Sequence, residues 1–433
     1  MEVRDPIHGA ISLSPAETAV LDHPFVQRLR FIKQMGFSEL PFPGAVHSRY
    51  IHSVGVLHLA GQAFDALFRG YGFSSPRVRN DFRQVVRLAA LLHDVGHAPF
   101  SHCAEFAMPP LSTLGIEAYG TDVLAARGHI RASHEDYTIG IICHTSLGDL
   151  IESTFGFEAR HVAALVSRDV AIDDDFFVDQ GLDHRVVLSQ LISSELDVDR
   201  LDYLVRDSYF SGAKYGQVDV HWLISNLEPH VEHDRVCLAL DRRAIYAFDD
   251  FMVARYHMFV MVYFHHKSVA LEEMLKRYIH GPNCSYMLPS DLDAYLEHDE
   301  VHLHGHLRQV DDPWARAIVR RQPWKRVLEL HGTPDEVDPD WALAALDEAG
   351  IDHLQAGSRG KLSRYTAFGQ KREGAPTIYV VDRPPGSEGR VTPLDEATAI
   401  FRRYEDERQI SRVFVDPARA GEARGVLDAA ART

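Results

Sequence analysis

Cysteine is scarce in this chain: four residues, Cys103, Cys143, Cys237 and Cys284, are scattered over 433 positions. No two form a Cys-x-x-Cys pair, which excludes a zinc knuckle and gives no basis for a disulfide framework. Reduced, partly buried thiols are expected. Long apolar runs are missing as well, since Val85–Leu92 and Met258–Phe264 are too short to cross a bilayer. The N-terminus, Met1-Glu-Val-Arg-Asp-Pro, has no basic stretch followed by an apolar one, so no secretory signal is visible and a cytoplasmic location is expected. Positive charge is in deficit, with 45 Lys and Arg against 62 Asp and Glu and a formal net charge of −17. That balance argues against general adhesion to nucleic acid or to a membrane surface. A phosphorylated ligand would need a local positive site instead. No internal repeat and no long low-complexity segment interrupts the chain.

What remains is an ordinary globular composition, 45% hydrophobic and 25% charged, on a chain longer than one core usually organises. The expectation is mainly α: an all-helical core over 1–280 with a small β-hairpin, and an α+β lobe over 281–433 engaged in oligomer contacts. Ser14-Pro15-Ala-Glu17 has the serine cap, first-position proline and early acid of a helix start. Helices are read over Pro24–Gln34, Arg49–Phe68, Asp81–Val95, Leu188–Ser208 and Asp249–Ile279. Asp81–Val95 is apolar almost all round and belongs in the core. Asp169–Asp183 reads as a solvated acidic loop. Val236–Leu240 and Ala244–Phe248 read as the hairpin, joined by Asp241-Arg-Arg243. In the lobe, short helices are expected at Asp291–Glu297, Trp314–Arg321 and Trp341–Ala349. Strands are expected at Thr377–Val381 and Arg412–Val415, with loops such as Arg383-Pro-Pro-Gly-Ser-Glu-Gly389.

Histidine is abundant, at 26 residues. His93-Asp94 ends the buried helix, where an imidazole beside a carboxylate costs desolvation unless both are paired or bind a metal. Nitrogen and carboxylate ligands together suit Mn, Fe, Zn, Ni or Mg. Upstream stands His47-Ser-Arg49-Tyr-Ile-His52, and downstream Asp197-Val-Asp199-Arg200-Leu-Asp202-Tyr203. On one helix Asp197, Asp199 and Asp202 cannot all face one ion. Two histidines and two aspartates would leave positions open for water and substrate, as a catalytic centre requires. His102 and Glu105, three apart, suit general acid–base work, with His134 and His97 near by. Arg49 and Arg200 can clamp phosphate, whereas Arg206 beside Asp207 reads as structural. His144, His161 and His184 read as surface or satisfied core.

These motifs resemble the HD-domain deoxynucleoside triphosphate triphosphohydrolases. The resemblance covers Met1 to about Ile279 and rests on Asp5-Pro-Ile-His-Gly9, Phe25-Val-Gln-Arg-Leu-Arg30, Pro43-Gly-Ala-Val-His-Ser-Arg49-Tyr-Ile-His52, His93-Asp-Val-Gly-His97-Ala-Pro-Phe-Ser-His102 and Asp197-Val-Asp199-Arg-Leu-Asp202-Tyr203. It implies His52, His93, Asp94 and Asp199 as metal ligands, His102, Glu105 and His134 in acid–base roles, and His97 close to the phosphates. Arg49 and Arg200 fall on phosphate-contacting positions, although Arg200 replaces a family lysine. Gln34, Tyr203 and Asp207 fall around the deoxyribose, and Tyr263 joins them if the register shifts by one. Asp22, Gln27 and Arg30 fall on a guanine-nucleotide activator site at a subunit interface, but Arg4 stands where the family has asparagine. The implied reaction is water attack on the α-phosphorus, releasing nucleoside and triphosphate, with Mg on the substrate phosphates and two or four subunits assembled. Over Met258–Phe264, several positions that are polar in the family are apolar here, which puts base and sugar choice in doubt. Other readings are an HD phosphohydrolase acting on a monophosphate, ribonucleotide or alarmone, and a nucleotide-sensing oligomer.

Overall fold

A computed structural model of the protein describes residues 1–360, 377–384, 389–403 and 408–432. An N-terminal hairpin pairs Glu2–Asp5 with Gly9–Ser12. Helices α1 (Pro15–Leu21) and α2 (Pro24–Arg28) follow, the first opened by a full Ser14/Glu17 capping box. The core then runs through α3 (Arg49–Leu67), α4 (Pro76–Leu92), α5 (Thr121–Arg127), α6 (His134–His144), α7 (Ser146–Phe155) and α8 (Ala159–Val166). It continues with α9 (Arg185–Ile192), α10 (Val198–Ser211), α11 (Val220–Ser225), α12 (Ile245–Met258) and α13 (His266–Ile279). Helix α4 starts earlier than its apolar stretch predicts, because Ser75 caps it through Val78 N–H and Pro76 fits the first turn. Its far end is buried throughout from Val85 to Leu92.

Five segments depart from the sequence reading. The hairpin is Leu227–Glu232 with Arg235–Asp241, turning at His233, whose φ is +57°. Ala244–Phe248 instead opens helix, because Asp241 accepts from Arg243 N–H and starts a helical turn there. The helix expected over Asp249–Ile279 is two helices, separated by a π-helical turn over Phe259–Tyr263. The helix expected over Leu188–Ser208 breaks where Asp197 caps α10. Pro24–Gln34 leaves the α-helix after Arg28 and becomes extended at Ile32. The acidic Asp169–Asp183 segment is not wholly solvated: Phe177 and Asp179 are buried, and Asp179 accepts from Ser74 N–H at 3.0 Å.

The C-terminal region combines strands and helices. Tyr379–Asp382 joins the core sheet, parallel to Arg235–Asp241, and Arg390–Pro393 pairs with it on the other side. A separate antiparallel sheet has Arg408–Val415 at its centre, between Lys325–Gly332 and His353–Gly360. Helices Asp340–Glu348 and Ala420–Ala430 close one face of it over Ala342, Leu346, Val413, Val415, Ala423 and Leu427. Leu303, Leu307, Ala315 and Ile318 belong instead to the main core. Of the expected loop 383–389, residues 385–388 lie outside the described residues.

Candidate metal and active site

Three elements converge on one point: the first turn of α3, the end of α4 and the first turn of α10. His52, on α3, is fully buried, and its Nδ1 lies 2.7 Å from Asp202 Oδ2. His93 caps α4, with Nδ1 2.8 Å from the carbonyl oxygen of Ala90. A carbonyl can only accept, so the proton of a neutral His93 sits on Nδ1 and its Nε2 keeps a lone pair. Both Nε2 atoms are buried without a hydrogen-bond partner. They face carboxylates: Asp199 Oδ1 lies 3.0 Å from His52 Nε2 and 3.5 Å from His93 Nε2. Asp94 Oδ1 lies 3.3 Å from His93 Nε2, and Asp94 Oδ2 lies 3.6 Å from His52 Nε2. One ligand atom each from His52, His93 and Asp94 falls within 4.8 Å of the others. Unsatisfied buried nitrogens rarely persist without a partner, and here they form a donor set suited to a divalent cation.

The carboxylates make this point strongly attractive to positive charge. Burial alone would depress the His52 imidazole, but the carboxylates of Asp199 and Asp202 push it up to about 10. Burial opposes ionisation of Asp94, and the Arg49 guanidinium, 2.5 Å from Asp94 Oδ2, holds its carboxyl well below the usual range. Asp199 is likewise held low by the two histidines, against burial. The three aspartates of α10 divide their work. Asp197 turns back as the cap, accepting from the N–H groups of Arg200 and Ser194 at 2.8 and 2.9 Å. Asp199 faces the two histidines, and Asp202 takes His52 from behind.

A second cluster adjoins the first. His97 Nε2 lies 3.2 Å from Asp94 Oδ1, and its ring stacks on His134 at 3.9 Å. The approach depends on Gly96, where a Cβ would meet the His134 carbonyl oxygen at 2.3 Å. Glu105 Oε1 lies 2.6 Å from His134 Nδ1 and 3.0 Å from His102 Nδ1. Burial raises the Glu105 carboxyl, but hydrogen bonds to the two histidines outweigh it and keep it well below the ordinary range. Burial, then the charge of Arg49, presses His97 well below its usual value, so its imidazole is neutral. Phe100 and Ser101 lead into this cluster with φ of +56° and +57°. Such strain needs a surrounding that fixes it, and Ser101 supplies one by donating to the Lys33 carbonyl oxygen at 2.7 Å and accepting from Arg49 Nε at 2.8 Å.

The remaining residues singled out from the sequence lie in several places. Arg200 is buried and directed to Glu195, 3.0 Å away, and to Asp197 at 3.6 Å. Asp207 accepts from the Tyr263 hydroxyl at 2.7 Å and lies 2.8 Å from His47 Nε2. The Tyr203 ring stands 6.3 Å from that of Tyr263. Gln34 Oε1 is buried without a partner. Arg30 donates to Gln27 at 2.7 Å and covers the Tyr50 ring, while Asp22 is exposed at the end of α1. His161 and His184 are satisfied by Asp174 and Tyr71. Asp202, His8, Ser101 and Glu195 drew no role from the sequence. Asp202, three residues after Asp199 and hence on a neighbouring helix face, carried a signal that could have found it, and His8 lay within the Asp5-Pro-Ile-His-Gly9 motif.

Residues 49–206 match the HD domain family, and residues 218–341 match the HD-associated region. The chain is an HD-domain protein. The HD match contains His52, His93, Asp94 and Asp199 as well as the His97–His102–Glu105–His134 cluster. Among curated relatives, the uncharacterized protein YwfO of Bacillus subtilis is 34% identical over 254 residues, which is 59% of this chain and 49% of that protein. The deoxynucleoside triphosphate triphosphohydrolase SAMHD1 of Homo sapiens is 31% identical over 225 residues, 48% of this chain and 33% of that one. The HD-domain chain thus spans about half the length of these relatives or less. A hypothetical protein from Aquifex aeolicus has the same fold, with a TM-score of 0.72, 24% identity and 99% of both chains covered. No helix among the described residues is long and apolar enough to cross a membrane.

Proposed function

We propose that this HD-domain protein is a metal-dependent phosphohydrolase that cleaves deoxynucleoside triphosphates to nucleoside and triphosphate. The observation that carries the reading is the pair of partnerless Nε2 atoms of His52 and His93 facing Asp94 and Asp199, with a histidine–carboxylate cluster directly beside them. A divalent cation held by these four residues supplies Lewis acidity at the phosphoryl oxygen and a water of lowered pKa. Mn, Fe, Zn, Ni or Mg suits the donor set, and Mg accompanies the triphosphate. The protein's own groups do the rest. Arg49 offers positive charge beside Asp94, and neutral His97 donates a hydrogen bond without adding charge. His102, oriented by Glu105, gives a proton to the leaving 5′-oxygen. Asp207 and Tyr263 form a polar pair suited to a sugar hydroxyl, with Gln34 and Tyr203 in supporting positions. Arg200, tied to Glu195, reaches phosphate only if that ion pair loosens. Asp22, Gln27 and Arg30 are proposed to take an activating nucleotide in a homodimer or homotetramer.

The substrate follows the named activity of the SAMHD1 relatives. It is tested with purified protein and Mn²⁺ or Mg²⁺ against the four dNTPs, singly and mixed, with products resolved by ion-pair chromatography. Nucleoside and intact triphosphate, lost in His93→Ala and Asp94→Ala, are expected, and activity confined to mixtures would show activation. Metal binding without cleavage of any dNTP would sink the dNTP assignment. The apolar positions of Met258–Phe264 would then direct the search to another nucleotide.

A further inference from the structure

The N-terminal motif Asp5-Pro-Ile-His8-Gly9 takes no part in the chemistry described, yet two of its side chains end at the HD centre. Asp202 is fully buried and makes four contacts within 3 Å, to three residues. Its Oδ2 meets His52 Nδ1 at 2.7 Å and Arg206 Nε at 2.7 Å. Its Oδ1 meets His8 Nε2 at 2.6 Å and Arg206 Nη2 at 2.9 Å. Arg206 is itself wholly buried, and its Nη1 donates to Asp5 Oδ2 at 2.7 Å. The other oxygen of Asp5 accepts from the N–H groups of Ile7 and His8 at 2.9 and 2.8 Å, which fixes the turn that presents His8. Space for the network is made on α3 by Gly55, where a Cβ would stand 2.1 Å from Asp202 Oδ1 and 2.3 Å from Arg206 Nη2.

We infer that Asp5, His8, Arg206 and Asp202 are positioning residues that set the tautomer and aim of His52, so that the N-terminal hairpin governs cation affinity at the HD centre. An Nδ1–H held by a carboxylate leaves the Nε2 lone pair directed at the ion and raises ligand basicity. An ordinary buried ion pair would need only Arg206 and one acid. Here the carboxylate is shared between the arginine, a ligand histidine and a second histidine from the hairpin. The inference rests on the metal-centre reading.

The test measures Mn²⁺ affinity by chelator competition, and the visible spectrum of the Co²⁺ form, for the unmodified protein, Asp202→Asn and His8→Gln. Circular dichroism establishes that each is folded. Asp202→Asn is expected to weaken the ion by about 10- to 100-fold, and His8→Gln, at the edge of the network, by less in the same direction. Both should alter the Co²⁺ bands, which a purely structural role would leave unchanged. If Asp202→Asn does not fold, His8→Gln decides alone. Wild-type affinity and spectra in the folded variants would overturn the inference and leave the metal centre standing. Absence of cation binding by the unmodified protein would overturn both.

Discussion

His102 differs from its neighbours in being accessible: its side chain is 66% exposed, whereas His97 is buried and His134 mostly so. Under the proposed reading, a proton donor to the departing oxygen has to be reachable and paired with a group that resets it, and Glu105, 3.0 Å from His102 Nδ1, would be that group. His102→Gln should therefore lower kcat by about 100- to 10,000-fold and leave the cation dissociation constant unchanged. Steady-state kinetics and metal titration on the same sample check this, and a parallel loss of cation would remove His102 from the proton-transfer role. The clustering of His52, His93 and Asp94 was legible because ionisable side chains amid apolar neighbours demand an explanation, while the choice of Asp199 among the α10 aspartates came only from the resemblance. The partners behind them were not. Asp202 meets His52 across 150 residues of chain, and no local pattern encodes a contact between two helices. The reading of Arg206 as an ion-pair partner of nearby aspartates held, since an arginine four residues from an aspartate on a helix finds it directly.

Among the elements, the helix Glu300–Gln309 carries a measurable consequence of burial. Glu300 Oε1 accepts from Lys33 N–H at 2.7 Å, while the Lys33 ammonium stands 3.8 Å from its other oxygen. Burial outweighs both and pushes the Glu300 carboxyl up to about 7, from an ordinary value of 4.5. Between these two values the native chain holds a proton that the unfolded chain has lost, so stability falls as pH rises through this window. Glu300→Gln should accordingly raise Tm at pH 8 and lose that advantage toward pH 5. A variant less stable than wild type at pH 8 would show that the lysine contact outweighs burial. Helices with capping residues, such as α1, were legible in the sequence. The Ala244–Phe248 strand was misjudged because its β-branched and aromatic residues suit either state, and the Asp241 cap decided for helix. The π-helical turn left no periodic signal, yet it ends at Tyr263, whose hydroxyl donates to Asp207. Strand Lys325–Gly332 was missed because charge at Arg326 and Glu329 masks its alternation, and these side chains pair with each other and, through Glu329, with Arg412.

For the whole molecule, the HD centre ties together regions far apart in sequence, so a ligand there should stabilise the global fold. At a free Mn²⁺ concentration about 1,000 times its Kd, linkage predicts about 4 kcal/mol of added stability, read as a rise in Tm. His93→Ala should show none of that rise, and an equal rise in this variant would place the ion elsewhere. The net charge of −17 works in the same direction, because cation binding relieves part of the self-repulsion. The main core was legible from the apolar helices. The second core was less so, because its strands meet only after long excursions of chain.

The span of the Asp5–Arg206 contact, 201 residues, also sets an order of events at birth. At about 5–20 residues per second, a growing chain exposes the hairpin roughly 10 to 40 s before Arg206 is made. Until α10 follows, His52 and His93 lack Asp199 and the Asp202 carboxylate that holds His52 Nδ1. Under the proposed reading, the four-residue cation site is therefore complete only when α10 docks against α3 and α4.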